Sequence, residues 1–213
     1  MATRRGSDDA GTARAILDVA ERLVQVRGFN GFSYADIAAQ LQISKAALHY
    51  HFASKADLGE ALIVRYAARF ADALAAVEAT GAPASAKLAD YTALYLQVLQ
   101  SGRMCLCGML AAEYQTLPQP MRDALIRFFD ENERWLEILL EQGRSAGSLR
   151  FAGSARDTAR MIVGGLEGAM LVARPYGDAA RFQAAAASLL AGLLADPSEP
   201  AEERPNPAAA VTA

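Results

Sequence analysis

The sequence predicts an all-α protein with a small three-helix head and a larger helical body. Apolar residues recur at helical spacing through most of the 213 residues, and no stretch shows the strict alternation of a half-buried strand. Hydrophobic residues make up 53% of the chain, which is enough to bury a sizeable core.

The head contains three helices, and the second and third are short. Apolar residues follow one helical face over 13–24, and Gly28 ends that helix. Ser33 and Asp36 then supply a hydroxyl N-cap and a first-turn carboxylate for the second helix. Ser44 opens the third after a link of about two residues. Two short helices on a tight turn, following a longer one, form a helix-turn-helix arrangement.

The body begins with another Ser-x-x-Asp start at Ser54 and Asp57, which opens a long helix that Gly81 ends. Further helical segments are predicted at 88–99, 103–116, 121–140, 161–173 and 182–193. From Asp196 onward the chain is rich in Pro and Glu, which is typical of a disordered tail. The predicted divisions are an N-terminal arm and head at 1–54, a body at 55–195, and a tail at 196–213.

Charge and composition narrow the class of protein. Residues 1–55 carry seven basic and five acidic side chains, whereas residues 56–213 carry 14 and 19. A mildly basic head therefore sits on an acidic body. No apolar run approaches the ~20 residues that span a bilayer, and the N-terminus lacks the apolar stretch of a secretory signal. We expect a soluble cytoplasmic protein without a membrane segment or cofactor.

The two histidines, His49 and His51, flank Tyr50 and raise the question of a metal or catalytic site. On a helix, residues two apart point about 200° apart, so the pair cannot share an ion. Acid–base catalysis needs a pocket with a reacting partner, and a short helix in a small head offers little concavity. Two alternatives remain: a plain polar surface, or a nucleic-acid contact in which Lys45, His49 and Tyr50 donate to phosphate oxygens and small Ala46 allows close approach.

The stretch from Thr12 to Leu62, and above all I-A…S-K-x-x-L-x-Y-H-F-x-S-K, resembles the DNA-binding head of the TetR/AcrR family of bacterial repressors. The resemblance implies an all-α homodimer with an N-terminal three-helix helix-turn-helix DNA-binding domain and a larger helical domain for ligand binding and dimerisation. His49 stands where the family usually has a Tyr that touches the sugar-phosphate backbone. His51 is expected either beside a phosphate or packed against the first helix. The implied DNA contacts are Ser33, Tyr34, Ser44, Lys45, Ala46, Ala47, His49, Tyr50, His51 and Lys55.

Dimerisation is expected because two heads must lie roughly 34–36 Å apart to read a palindromic operator. Glycines in the penultimate helix would let another helix approach closely. The alternative is an intramolecular core, but the resemblance favours a four-helix interface. Its candidate residues are Met161, Gly165, Gly168, Met170, Phe182, Leu189 and Leu193.

An effector site is expected among the middle helices, where aromatic and Met residues are concentrated with a few polar groups. A plain hydrophobic core is the alternative for the same residues. The candidates are Tyr91, Tyr95, Met109, Glu113, Tyr114, Phe128 and Trp135.

The segment R-M-C-L-C-G-M-L-A-A-E contains both cysteines, Cys105 and Cys107. A helix N-terminus and the nearby Arg103 would lower the pKa of the Cys105 thiol. The stretch C-L-x-x-x-L-x-A-E is also similar to a segment that carries an electrophile-sensing cysteine in one repressor of this family. Three hypotheses stay open: inert buried thiols, a redox or electrophile switch, and metal or metalloid binding.

These patterns predict a transcriptional repressor and not an enzyme. A small-molecule inducer or thiol modification would release it from double-stranded DNA, and the helix at 55–80 would carry the motion between body and head. The alternatives are a small helical enzyme, or an adaptor that binds protein through the same surface.

Overall fold

The computed structural model describes residues 3–194, and the all-α class is confirmed there: these residues form α-helices and no named strand. The helices within this range are α1 Thr3–Arg27, α2 Tyr34–Leu41, α3 Lys45–His51, α4 Lys55–Ala79, α5 Ala84–Gln100, α6 Leu106–Ala112, α7 Gln119–Ser145, α8 Ala155–Ala173 and α9 Ala179–Ala191. Short 3₁₀ turns follow α6 and α8 at Tyr114–Thr116 and Arg174–Tyr176. The tail predicted at 196–213 lies outside the described residues.

The predicted helix starts coincide with real caps. The Ser33 amide donates to Asp36 Oδ2 at 2.8 Å, which fixes the first turn of α2. The Ser54 amide donates to Asp57 Oδ2 at 2.9 Å while Ser54 Oγ accepts from the Asp57 amide at 3.1 Å, a complete capping box at the start of α4. Ser154 caps α8 with the same Ser-x-x-Asp pattern, which the sequence analysis did not single out.

The head is closed by a tight turn and a small core. Gln42 adopts the left-handed conformation, with φ of 55°, between α2 and α3. The Ile43 amide then donates to the Ala38 carbonyl at 3.1 Å, which ends α2 and sets the start of α3. Leu48 and Ile37 are fully buried with Ile16 of α1, so the three helices share one apolar centre.

In the body, α4, α5 and α7 pack beside one another, α8 packs on α7, and α9 packs on α8 and α5. Gly165 explains the close approach of the last two helices, because a Cβ there would lie 3.1 Å from Leu189 Cδ2. The prediction that Met170, Phe182 and Leu193 form a dimer interface is wrong for those three side chains. They are at most 3% exposed within one protomer, so they belong to its own core.

Candidate nucleic-acid interface and internal cavity

The N-cap of α3 and its one buried side chain determine which face of this helix is exposed. Ser44 Oγ accepts from the Ala47 amide at 3.1 Å, and Leu48 points into the head core, so the opposite face is turned outward. Lys45 and Tyr50 are exposed on that face, and Tyr50 keeps 76% of its surface accessible. Ser33, Ser44, Ala46 and His49 are also exposed, and Ala47 is half-buried.

One ring nitrogen of His49 is held by the backbone of the head. Its Nδ1 lies 3.1 Å from the Ala53 carbonyl oxygen, and its ring lies 4.8 Å from the ring of Tyr34. In the tautomer that donates from Nδ1, the exposed Nε2 is an acceptor. It can therefore donate to a phosphate only when the ring is protonated, and in the neutral ring it suits a donor such as a base amino group.

Two of the predicted DNA contacts, Tyr34 and His51, are turned inward. The buried Tyr34 hydroxyl donates to the Phe52 carbonyl at 2.9 Å, and burial raises its pKa to about 12. The side chain of His51 is 10% exposed and its Nε2 lies 3.6 Å from Asp9 Oδ1, which agrees with the alternative of a packed helix-end histidine. These side chains stabilise the fold of the head instead of extending from its surface.

Lys55 requires a correction, because the resemblance implied that it reaches a phosphate. Its Nζ donates to the carbonyls of Phe29 and Phe32 and lies 4.6 and 4.2 Å from the centres of their rings. Burial lowers the pKa of Lys55, and the nearby carboxylate of Glu113 opposes that effect. Lys55 thus fastens the turn between α1 and α2 to the start of α4.

Glu113 joins the same turn to the body. Its Oε2 accepts from the Phe29 amide at 2.6 Å and from the Asn30 amide at 3.3 Å. Gly28 has a φ of +82°, and a Cβ there would lie 2.6 Å from Glu113 Oε1, so the carboxylate sits directly on this backbone. Glu113 ends α6, while Cys105 precedes the first residue of α6. One short helix therefore runs from the thiol to the head.

A cavity of about 250 Å³ lies beside that thiol. Tyr66 and Phe70 of α4 contribute to its wall together with Tyr95 of α5 and Met170 of α8, and Cys105 completes it. Arg69 and Arg103 are among its polar lining residues. Its size and mainly apolar wall suit a small organic molecule.

The expected low pKa of Cys105 is wrong. The thiol is buried, and burial followed by the negative charge of Glu167 raises its pKa well above the ordinary value. Tyr66 Oη donates to Cys105 Sγ at 3.7 Å, and the thiol also contacts the Glu167 carboxylate. Cys107 is fully buried, with its pKa raised by burial as well, and both cysteines are free thiols.

Glu167 is the site residue that the sequence analysis missed. Its Oε1 is buried without a hydrogen-bond partner in the described part of the chain, and burial raises the pKa of the carboxyl to about 7. The one sequence signal was an acidic residue inside the apolar 161–173 segment.

The predicted effector residues do not share one site. Tyr95 lines the cavity beside Cys105. Its hydroxyl lies 3.1 Å from the Tyr91 hydroxyl and accepts from Asn132 Nδ2 at 3.2 Å, while the Tyr91 hydroxyl donates to Asn132 Oδ1 at 2.8 Å, so the three form a buried network. Phe128 and Trp135 line a second cavity of about 330 Å³ between α4 and α7, and Phe70 lines both cavities.

The remaining predicted effector residues lie elsewhere. Met109 accepts from Arg174 Nη1 at 3.3 Å, Tyr114 lies under the Arg122 guanidinium at 5.1 Å, and Glu113 holds the head. The structure thus separates these three from the cavity that Tyr95 lines.

One face of the last two helices is apolar and exposed. Met161 is 49% exposed, Leu171 58% and Val172 62%, and the glycines at 164, 165 and 168 are exposed beside them on α8. Leu189 is half-buried between α8 and α9. Of the predicted interface residues, Met161, Gly165 and Gly168 therefore reach the surface.

Over residues 3–194, no helix combines the length and apolar character needed to cross a bilayer. Within the same range no three His, Cys, Asp or Glu side chains are grouped as metal ligands would be.

Both the head and the body of this chain are similar to known proteins. Residues 16–62 match the family model described as bacterial regulatory proteins, tetR family, and residues 84–189 match a tetracyclin repressor-like C-terminal domain. The transcriptional regulator AcuR of Cereibacter sphaeroides is 30% identical over 80% of each chain. The repressor NemR of Escherichia coli K12 is 28% identical over 76% of this chain and 84% of that protein. A TetR-family regulator from Agrobacterium tumefaciens superposes with a TM-score of 0.85 at 32% identity, covering 88% of this chain and 100% of that one.

Proposed function

Because this chain belongs to the TetR family of bacterial regulatory proteins, we propose that it is a dimeric repressor released from its operator by a small molecule. Family membership makes it a DNA-binding transcriptional regulator and not an enzyme. Its DNA target implies that it acts in the bacterial cytoplasm. The observation that carries the proposal is the helix α6, which extends from the cavity-lining Cys105 to the head-binding Glu113.

Operator contact is assigned to the outward face of the head. Lys45 and Tyr50 donate to phosphates, His49 lies beside them, and Ser33, Ser44, Ala46 and Ala47 approach the backbone and base edges. Tyr34, His51 and Lys55 support this face from behind, because their polar groups already have partners within the head.

The test of this assignment is Lys45→Ala combined with Tyr50→Ala. Operator affinity should fall, and the slope of log affinity against log salt should decrease by about 2, since each dimer loses two cationic phosphate contacts. Arg134→Ala combined with Tyr176→Ala, two exposed positions of the body, is the matched control. Unaltered affinity and salt slope in the head variant would show that the operator is read by another surface.

The dimer is proposed to form through the exposed apolar face of α8 with the neighbouring small residues of α9. A twofold axis there would present two heads to a palindromic site, with half-sites one turn of B-DNA apart. Selection of bound sequences from random DNA tests this directly. Recovery of sites without twofold symmetry would contradict the arrangement.

Release is proposed to start in the cavity beside Cys105, either by binding of a small molecule or by modification of the thiol. A shift of Cys105 moves the start of α6, and Glu113 at its end carries the shift to the turn at Phe29. A coupling of about 1–3 kcal/mol would change operator affinity roughly 5- to 150-fold. Cys105→Ser separates the two forms: loss of release by thiol reagents supports modification, and unchanged release favours binding alone.

A further inference from the structure

The Cys105 thiol is paired with a group that can take its proton. The sulfur contacts Tyr66 on one side and the Glu167 carboxylate on the other, and one oxygen of that carboxylate is buried without a partner in the described chain. A buried carboxylate oxygen without a hydrogen bond is costly, so its position beside the thiol calls for a reason. The sulfur lines the 250 Å³ cavity described above, which gives a small molecule space beside it.

We infer that Glu167 is the base that removes the Cys105 proton when the thiol adds to a small α,β-unsaturated carbonyl compound held in this cavity. The inference rests on the proposed function and names its effector class. The sulfur forms a bond to the β-carbon as the S–H bond breaks, and the proton passes to Glu167. The electrons of the carbon–carbon double bond move toward the carbonyl oxygen, and the α-carbon then takes the proton back from Glu167. The thiol is added across the double bond, and no oxidant or reductant is consumed.

The surroundings favour this chemistry over attack by a free thiolate. Because burial and Glu167 both raise the pKa of Cys105, the resting sulfur is protonated and weakly nucleophilic. The proton must therefore leave while a bound electrophile is in contact, and a carboxylate within hydrogen-bond reach can accept it. The Tyr66 hydroxyl, which now donates to the sulfur, can donate instead to the carbonyl oxygen as negative charge develops there.

The position of Glu167 is fixed by a close contact with α6. A Cβ at Gly108 would lie 2.1 Å from Glu167 Oε2, so the carboxylate rests on the bare Cα of this glycine. Gly108→Ala should push the carboxylate off the thiol while preserving its charge. It is therefore a second variant that does not depend on changing Glu167 itself.

The titratable and charged groups around the carboxylate come from every neighbouring helix. They are Tyr66 of α4, Tyr91 and Tyr95 of α5, Cys105 and Cys107 at α6, Glu133 of α7 and Arg160 of α8. Arg160 forms ion pairs with Glu133 at 3.5 Å and with Asp157 at 3.1 Å. Glu133 and Arg160 line a groove that Glu167 also lines. Glu133→Gln is accordingly the control for a carboxylate that does not touch the thiol.

The experiment uses the full-length dimer and methyl vinyl ketone, with adduct formation followed by intact mass and peptide mapping across pH. In the natural protein the rate should rise through pH 7, as Glu167 becomes a carboxylate, and then level off. Glu167→Gln and Gly108→Ala should slow addition about 100-fold and lose this rise. Glu133→Gln and Cys107→Ser should react as the natural protein does.

Three results would decide against the inference or its premise. An unchanged rate and pH profile in both Glu167→Gln and Gly108→Ala would overturn the role of Glu167. An adduct that still forms in Cys105→Ser would overturn the site. Addition with the expected profile that leaves the operator bound would uphold the chemistry and refute the proposed release.

Discussion

Removing the Glu113 carboxylate tests whether it joins head and body. The change is Glu113→Ala, which takes away the acceptor of the Phe29 amide at 2.6 Å and of the Asn30 amide at 3.3 Å. The Phe29 bond is partly buried, whereas the Asn30 bond is exposed. The two amides therefore lose different amounts of stabilisation.

The magnitude follows from that difference. A hydrogen bond to a charged group contributes about 1.5–3 kcal/mol when its donor cannot turn to water. The Phe29 amide loses such a bond. The exposed Asn30 amide can donate to water instead, so its loss contributes little. We expect the free energy of unfolding to fall by about 2 kcal/mol. Gly28→Ala should cause a loss of the same order or larger, because its Cβ collides with Glu113 and its φ is positive.

The assay is urea unfolding followed by circular dichroism at one fixed protein concentration, since dimer dissociation makes stability concentration-dependent. Glu141→Ala is the matched control, because that carboxylate is 57% exposed and pairs with Arg144 of the same helix, three residues away. Operator affinity is also measured with and without methyl vinyl ketone. In Glu113→Ala the reagent should leave operator affinity nearly unchanged, whereas in Glu141→Ala it should still lower it. A loss of stability below about 0.5 kcal/mol, or undiminished release from the operator, would refute the role of Glu113 in joining head and body.

Three further predictions concern the core, the buried carboxyl and the dimer. Leu48→Ala should cost about 2–5 kcal/mol in urea unfolding, because the fully buried side chain leaves a cavity in a small head; a loss under 1 kcal/mol would mean that the head core collapses around it. Since burial raises the pKa of Glu167 from 4.5 to about 7, stability should fall by about 3 kcal/mol as pH rises across that window, and Glu167→Gln should abolish the slope. Leu171→Glu, at a position 58% exposed, should yield monomers in sedimentation and weaken operator binding, whereas Ile138→Glu on α7 should leave the dimer intact.

Much of the head could be predicted from the sequence because its signals are local. The apolar spacing of α1 and the caps at Ser33, Ser44 and Ser54 act within one or two helical turns of the chain. Side-chain direction within one short helix also separates His49 from His51. The family motif lies wholly inside this region.

The roles of individual polar groups depended on contacts between distant segments. Spacing assigns Lys55 to the start of α4, but only the packed head turns its ammonium toward the carbonyls of Phe29 and Phe32. A helix N-terminus would favour a Cys105 thiolate, yet α4, α5 and α8 bury the sulfur and bring Glu167 against it, so the pKa rises.

The sequence alone determined the helices, the family and the outward face of α3, because helical periodicity and capping depend on near neighbours. Tertiary structure alone decided which apolar face remains open for a partner, which carboxyl meets the thiol, and that Glu113 binds a backbone 84 residues away. The physical reason is that burial and electrostatic environment come from whichever helix covers a residue, and that choice is made by packing across the whole chain.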